Sequence, residues 1–415
     1  MGESSLDSWE GFTCAVSHLE CSATGERYPA GRQHNVSDAG KPLLVRYDLQ
    51  AVARVMDKSV VAGRAPDLWR YRELLPVRSG SDVVSLGEQI TPLVALPVTA
   101  GRSGGAGLLV KDEGRQPAGS FKSRGMAVAV SMARSFDIRQ AALPTVGSGG
   151  ASFAAYCRRA GIEAYVFCPD DAPDVTTREI EYYGAKLYLV NGAVEDCNRM
   201  VLEGARQRGW FDFSTLKEPY RIEGKKTMGL ELAEQLGWQV PDVVFYPTGG
   251  GTGFIGMWKA FAELEAIGWL GKKRPRMVAV QTTGCAPIVE AFEGGHAEIQ
   301  TPWRDIRTRV HGVRVAKALG DFLILRVVYE SGGFAIAVAE EDVEPMRTAV
   351  AREDGVMLCP EGAACVVAWR DAVANGRIGA DEQAVIFNTA TGLRSPMPPV
   401  TRRLDVRANV DYAAL

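Results

Sequence analysis

Short apolar runs alternate with longer stretches of helical periodicity along most of this chain. Runs rich in branched and aromatic residues have the length of buried β-strands, and they lie at 108–110, 164–168, 187–190, 243–246, 277–280 and 385–387. Between them, apolar residues recur at helical spacing; Met126, Val130 and Ala133, for example, share one helix face. Strands that alternate with helices predict an α/β fold, in which mainly parallel sheets are covered by helices on both faces.

A glycine-rich loop lies between the run 243–246 and the helical stretch 254–261, and it consists of Gly249, Gly250, Gly251, Thr252 and Gly253. Glycines let backbone N–H groups converge on an anion, and the helix that follows adds partial positive charge. The spacing fits neither GxxxxGK[ST] nor GxGxxG with a later acidic residue. A plain tight turn is the alternative interpretation. We therefore expect a site for a phosphate that does not belong to a nucleotide.

A second loop, 117–121, delivers Lys122 to the start of a helix. The helix dipole and partial burial both disfavour an ammonium group there, which lowers the lysine pKa and suits an amine that forms a Schiff base. A solvated surface lysine is the alternative. Together with a phosphate loop, an activated lysine indicates pyridoxal phosphate as the cofactor.

Several segments resemble the threonine synthase family, in matching order between residues 20 and 400: 85–93, 111–114, 119–122, 218–227 and 247–253. The resemblance implies a fold-type II pyridoxal-phosphate enzyme of the tryptophan synthase β-like architecture, with two α/β domains that face each other across the cofactor. The domain limits that we expect are an N-terminal arm at 1–75, a large cofactor-binding domain at 76–117 and 214–400, a small domain at 118–213 and a tail at 401–415.

The resemblance also implies site residues. Lys122 is the expected catalytic residue, which binds the cofactor and transfers protons. The other cofactor contacts that we expect are Phe121, Ser148, Thr389, Gly249, Gly250, Gly251, Thr252 and Gly253. The expected substrate contacts are Thr91, Thr145, Gly147, Gly149, Ser152, Arg221 and Lys225. Thr389 would face the pyridine nitrogen with a neutral hydroxyl, which leaves the ring a weaker electron sink.

Two further segments bear on the binding of the substrate. Residues 144–152 form a second small-residue turn before a helix, and two such turns can serve two anions, one of them the substrate carboxylate. Ser148 stands where the family usually has Asn; either the ring environment changes with it or a water fills the gap.

Arg221 and Lys225 are one helical turn apart and suit a substrate phosphate, although a solvated basic face is the alternative. In the family, a basic residue matching Arg221 contacts the phosphate of O-phosphohomoserine.

These features leave three interpretations. The first is a threonine synthase-like lyase that converts O-phospho-L-homoserine and water to L-threonine and phosphate. The second is β-replacement, β-elimination or γ-replacement on a related amino acid such as O-phosphoserine, serine or threonine. The third is a catalytically silent homologue that binds pyridoxal phosphate, and the intact Lys122 argues against it.

Composition excludes several other classes of protein. The 415 residues carry a net charge of -3 without a basic face, so nucleic acid and membrane surfaces are poor partners. No apolar run approaches the ~18 residues of a membrane span. We expect a cytoplasmic monomer or homodimer whose partner is a small amino-acid substrate, phosphorylated in the first interpretation.

Eight scattered cysteines indicate free thiols in a reducing compartment. Some relatives carry a small zinc ribbon near the N-terminus. Here Cys21 keeps one ligand position, whereas the other positions fall on Thr24, Val36 and Ala39. One thiol cannot provide four-coordinate zinc, so we expect no metal in this arm.

Overall fold

The computed structural model describes residues 9, 12–105, 107–405, 407 and 412–414. The strands in these ranges are β1 (Val16–Cys21), β2 (Arg27–Tyr28), β3 (Leu43–Tyr47), β4 (Leu93–Ala95), β5 (Gly107–Asp112), β6 (Gln140–Pro144), β7 (Glu163–Pro169), β8 (Lys186–Val190), β9 (Phe211–Asp212), β10 (Val243–Pro247), β11 (Arg276–Thr282), β12 (Phe334–Val338) and β13 (Gln383–Asn388).

The α-helices are α1 (Leu49–Val55), α2 (Lys58–Ala62), α3 (Pro97–Arg102), α4 (Lys122–Ser135), α5 (Ser148–Ala160), α6 (Asp174–Tyr182), α7 (Val194–Arg208), α8 (Tyr220–Gln235), α9 (Thr252–Ala266), α10 (Pro287–Glu293), α11 (Asp321–Glu330), α12 (Glu340–Glu353) and α13 (Pro360–Ala374). Short 3₁₀ helices lie at Leu68–Leu74, Gly80–Asp82, Glu113–Arg115, Pro117–Gly119, His311–Val313, Gly392–Arg394 and Tyr412–Ala414. In the described ranges, no helix is both long and apolar enough to cross a lipid bilayer.

The larger sheet has the strand order β12-β11-β10-β13-β5-β4, and every pair is parallel except β4 with β5. Both faces are buried, as an all-apolar parallel strand requires. On one face, Val244 and Tyr246 pack in a core with α8, α9 and α11. On the other face, Val243 and Phe245 pack with α12 and α13. This layered arrangement confirms the predicted α/β fold class.

The smaller sheet has the order β8-β7-β6-β9 and is parallel throughout. Leu143 packs in a core with α4 and α5, whereas its neighbour Ala142 faces α7. The sheet spans residues 140–212, inside the range 118–213 expected for the small domain. The domain limits themselves stay a prediction.

The N-terminal arm contains an antiparallel sheet of order β2-β1-β3. Leu19 and Val45 of this sheet belong to the same core as α4 and α5, so the arm packs directly on the small sheet's layer. In this arm, Cys21 Sγ lies 3.1 Å from Ser37 Oγ. Among the described residues, no group of three or more His, Cys, Asp or Glu side chains is arranged to hold a metal ion.

Candidate active site

The glycine loop forms a cradle of free backbone donors between β10 and α9. Gly251 has a φ of +73° directly before the first residue of α9, and a Cβ there would clash with Ile324. A Cβ on Gly249 would lie 2.5 Å from the carbonyl oxygen of Gly312. The N–H groups of Gly249, Gly250 and Gly251 donate no hydrogen bond to another described residue. Donors that converge at a helix N-terminus are suited to a phosphate group.

Lys225 on α8 brings an amine to this cradle. Its Nζ donates a hydrogen bond to Thr252 Oγ1 over 2.6 Å, and it lies 4.2 Å from the centroid of the Phe121 ring. Burial holds the pKa of Lys225 well below its ordinary value, and the charges of Lys122 and Arg221 lower it further. The sequence assigns Lys225 to the substrate. Its hydrogen bond instead favours a place beside the group bound in the glycine loop.

Lys122 is the first residue of α4, and the residue is half-buried. Its Nζ also lies 4.2 Å from the centroid of the Phe121 ring. Burial lowers the pKa of Lys122 to about 8, assisted by the charge of Arg221. A substantial neutral fraction near neutral pH is what an amine nucleophile needs.

The loop that carries Lys122 is tied to the end of β13. The N–H of Phe121 donates to the carbonyl oxygen of Thr389 over 3.0 Å, and Ser120 forms a bridge with Ala390. Lys122 therefore lies at the carboxyl ends of the strands of the larger sheet, where open α/β sheets bind their ligands.

The hydroxyl of Thr389 lies beside a thiol that the sequence did not indicate. Cys359 Sγ is 3.9 Å from Thr389 Oγ1, and the Cys359 N–H donates to Asn388 Oδ1 over 2.9 Å. Burial raises the pKa of Cys359, which keeps the thiol protonated. The pair is therefore neutral, as expected for the residue that faces the pyridine nitrogen.

A second site suited to an anion, here the substrate carboxylate, lies at the turn before α5. Gly147 has a φ of +152°, and its N–H donates to Thr145 Oγ1 over 3.2 Å. The N–H groups of Ser148 and Gly149, at the start of α5, donate no hydrogen bond to another described residue. Thr145 thus orders the turn, and the two free N–H groups at a helix N-terminus are suited to an anion.

Two predicted substrate contacts have their side chains in the protein interior. Thr91 is fully buried; its hydroxyl donates to Glu113 Oε1 over 2.7 Å, and its N–H donates to Glu231 Oε1 over 2.6 Å. Ser152 is also fully buried, with its Oγ 3.4 Å from Ser123 Oγ. Their role as substrate contacts stays a prediction.

Arg221 lies on α8 with little exposed surface. Its Nη1 donates to the Phe213 carbonyl oxygen over 2.7 Å, and its Nε is 3.9 Å from Glu218 Oε1. Arg221 Nε and Glu218 Oε1 are both buried without a hydrogen-bond partner in the described part of the chain. Burial raises the pKa of Glu218 to about 7, although the Arg221 charge opposes this. The guanidinium therefore keeps donor capacity for a ligand that enters the cleft.

Sequence reasoning also missed Glu361, in the first turn of α13. Its Oε1 accepts a hydrogen bond from the Gly312 N–H over 2.8 Å, and its charge raises the Lys122 pKa against the effect of burial. Gly312 in turn lies against Gly249, so this carboxylate is next to the glycine loop.

These residues fit pyridoxal phosphate. The glycine loop and Lys225 would hold its phosphate, the Lys122 amine would meet its aldehyde, and the Thr389 hydroxyl would face its ring nitrogen. A side chain at Gly249 or Gly251 has no room against the neighbouring protein, so both positions require glycine.

Residues 84–390 match the family model described as pyridoxal-phosphate dependent enzyme. Threonine synthase of Methanocaldococcus jannaschii is 32% identical over 377 residues, which are 91% of this chain and 92% of that protein. Among solved structures, maize serine racemase superimposes with a TM-score of 0.62 at 20% identity, over 73% of this chain and 88% of that one. Threonine deaminase isoform 2 from Solanum lycopersicum gives a TM-score of 0.63 at 20% identity, over 79% and 92% of the two chains.

Proposed function

This chain belongs to the pyridoxal-phosphate-dependent enzyme family, and we propose that it converts O-phospho-L-homoserine and water to L-threonine and phosphate. The observation that carries this proposal is Arg221. The Nε of its buried guanidinium has no hydrogen-bond partner among the described residues, and its charge lowers the pKa of both Lys122 and Lys225. The glycine loop and Lys225 account for the single phosphate of the cofactor, so Arg221 is left to bind the phosphate of a substrate. The identity to threonine synthases over nine-tenths of the chain supports the same activity.

When bound, pyridoxal phosphate supplies an electron sink for the bonds at the substrate α-carbon. In this proposal, the Lys122 amine takes protons from the α- and β-carbons and returns protons to the γ- and α-carbons. Its lowered pKa keeps part of the amine neutral and therefore able to act as a base. One lysine at the start of α4 can serve these carbons, because they are consecutive atoms of the same substrate.

The remaining residues bind and orient the substrate. The free N–H groups at the start of α5 hold its carboxylate, and Arg221 holds its phosphate and stabilises the phosphate anion as it leaves. The reaction removes a proton from Cβ and breaks the bond between Cγ and the phosphate oxygen. Cγ then gains a proton, and a hydroxyl group from water adds at Cβ. Arg221 is buried, so its interaction with a departing anion is screened little by water.

A second candidate is elimination or replacement on an unphosphorylated amino acid. One observation favours it: Arg221 Nη1 already donates to the Phe213 carbonyl oxygen, which reduces its capacity for a phosphate. Ser148 in place of Asn is a further departure from the usual threonine synthase pattern. The third candidate, a silent homologue, is disfavoured by the half-buried Lys122 and the lowered pKa of its amine.

One experiment separates the candidates. The purified holoenzyme is incubated with O-phosphohomoserine, O-phosphoserine, threonine or serine in water enriched in heavy oxygen, and products are identified by mass. We expect threonine with one heavy oxygen and an equal amount of phosphate from O-phosphohomoserine alone. Ammonia and a keto acid from serine or threonine would replace this proposal with the second candidate. No product from any substrate, matching a Lys122→Ala control, would support the silent homologue.

A further inference from the structure

The turn that precedes α8, residues 212–217, is strained. Leu216 has a φ of +65°, in the left-handed region that a bulky residue rarely occupies. Its side chain is buried and lies close to Gly320. Strain of this kind persists only where surrounding contacts fix the backbone, and it concentrates near functional sites.

A single side chain of the N-terminal arm closes this turn. Asn35 Nδ2 donates to the carbonyl oxygen of Asp212 over 2.8 Å and to that of Lys217 over 2.9 Å. The two acceptors are the first and last residues of the turn, and they lie 177 and 182 positions from Asn35 along the chain. Inside the turn, Asp212 Oδ1 accepts the Ser214 N–H over 2.8 Å. The amide of Asn35 thus joins both ends of the strained segment.

The turn faces the active site on two sides. Its Phe213 carbonyl oxygen accepts the hydrogen bond from Arg221 Nη1, so the turn sets the direction of the guanidinium. Thr215 is exposed at the tip, and a Cβ on Gly250 would lie 2.9 Å from its Cγ2. A shift of the turn would therefore move the acceptor of Arg221, whereas at the glycine loop it would move only the exposed side chain of Thr215.

We propose that Asn35 is a positioning residue for the substrate phosphate: it holds the 212–217 turn in the conformation that aims Arg221 into the cleft. The proposal rests on the proposed function, in which Arg221 binds that phosphate. It gives the N-terminal arm a role in specificity beyond packing. Asn35 acts through Phe213 and Arg221 and does not itself contact the substrate.

A graded series of variants tests the number of donors at this position. Asn35→Ser leaves one short donor, Asn35→Ala leaves none, and Asn35→Asp places a carboxylate against two carbonyl oxygens at nearly unchanged size. Asn198→Ala is the matched control, because Asn198 also donates its amide to a carbonyl oxygen, that of Val194, but on α7. Asn35 is only half-buried, which favours folding of every variant.

Two dissociation constants are measured. That of inorganic phosphate is measured on the holoenzyme by titration calorimetry, and that of pyridoxal phosphate is measured on the apoenzyme by absorbance. We expect phosphate binding to weaken about tenfold or more in Asn35→Ala, since each lost hydrogen bond contributes about 1 kcal/mol, with Asn35→Ser intermediate and Asn35→Asp weakest. Cofactor binding and the control should stay at the wild-type level.

Equal phosphate affinity in the wild type and in Asn35→Asp would overturn the proposed role of Asn35 and leave the proposed function standing. Parallel losses of phosphate and cofactor affinity in Asn35→Ala would assign the residue to general stability and overturn the proposal as well. If the wild-type holoenzyme does not bind phosphate at all, the phosphate-handling function fails first and the inference fails with it. The outcome for the wild type therefore separates the two failures.

Discussion

The amine of Lys225 donates a hydrogen bond to the hydroxyl of Thr252 over 2.6 Å, which joins the middle of α8 to the first residue of α9. The bond places an amine next to the free N–H groups of the glycine loop. Burial and the charges of Lys122 and Arg221 hold the Lys225 pKa well below its ordinary value. A phosphate bound in the loop would favour the ammonium form.

Replacing Lys225 with Met should weaken the binding of pyridoxal phosphate about ten- to hundredfold, since one charge-assisted hydrogen bond contributes roughly 1.5–3 kcal/mol. In the wild type, binding should take up a proton, so affinity should fall as pH rises, and the variant should lose that dependence. Equilibrium titrations by absorbance at several pH values measure both effects. Lys273→Met, at an exposed ion pair with Asp242, is the control. If Lys225→Met binds pyridoxal phosphate with wild-type affinity, the earlier prediction that Lys225 contacts the substrate would be favoured.

The amine of Lys122 should react with the cofactor faster as pH rises, with a midpoint near its pKa of about 8. Only the neutral amine is a nucleophile, and its fraction grows as pH rises through the pKa. Arg221→Met should move the midpoint to higher pH, because the Arg221 charge is one cause of the lowered value. Stopped-flow absorbance after mixing apoenzyme and cofactor reports the rate. An equal midpoint in the wild type and in Arg221→Met would show that the Arg221 charge does not act on the Lys122 amine.

The strands of the fold were predictable where branched residues dominate, as in β10 and β11. β6 was not, because its sequence QAALP is rich in alanine, and only the parallel neighbours β7 and β9 make it a strand. The glycine loop and Lys122 were predictable, because each lies in a local sequence motif that indicates its chemistry. The hydrogen bond between Thr91 and Glu231 was not predictable, since Glu231 lies 140 positions away and no local pattern reveals that contact.

One variant tests whether the Thr91 hydroxyl supports the fold or contacts the substrate. Thr91 belongs to a fully buried network in which Arg124 bonds to both Glu113 and Glu231. Thr91→Val should lower the free energy of unfolding by about 1–3 kcal/mol, because the carboxylates lose a hydroxyl partner, and KM should stay unchanged. Urea unfolding and steady-state kinetics measure the two quantities, with the exposed Thr301→Val as control. A raised KM at unchanged stability would support Thr91 as a substrate ligand.

Two glycines of the loop should respond differently to substitution. At Gly250, a Cβ meets only the tip of the exposed Thr215, which can move, so Gly250→Val should weaken cofactor binding with little loss of stability. At Gly253, a Cβ would overlap the hydroxyl of the buried Tyr246, so Gly253→Ala should destabilise the fold itself. Thermal unfolding of the apoenzymes, together with cofactor titration, separates the effects. Equal losses of stability in both variants would contradict the assignment.

Arg221 distinguishes a phosphorylated substrate from an unphosphorylated one. Arg221→Ala should raise KM and lower kcat for O-phosphohomoserine, with kcat/KM reduced about ten- to hundredfold by the loss of a charge-assisted contact. Arg221→Lys should recover little, because an ammonium cannot hold the Phe213 carbonyl and present a planar fork to a phosphate at once. Arg139→Ala, at an exposed pair with Asp137, is the control. Inorganic phosphate should inhibit the wild type competitively and the alanine variant much less. Wild-type kinetics in Arg221→Ala would mean that no substrate phosphate reaches this guanidinium, and an unphosphorylated amino acid would then be the better substrate.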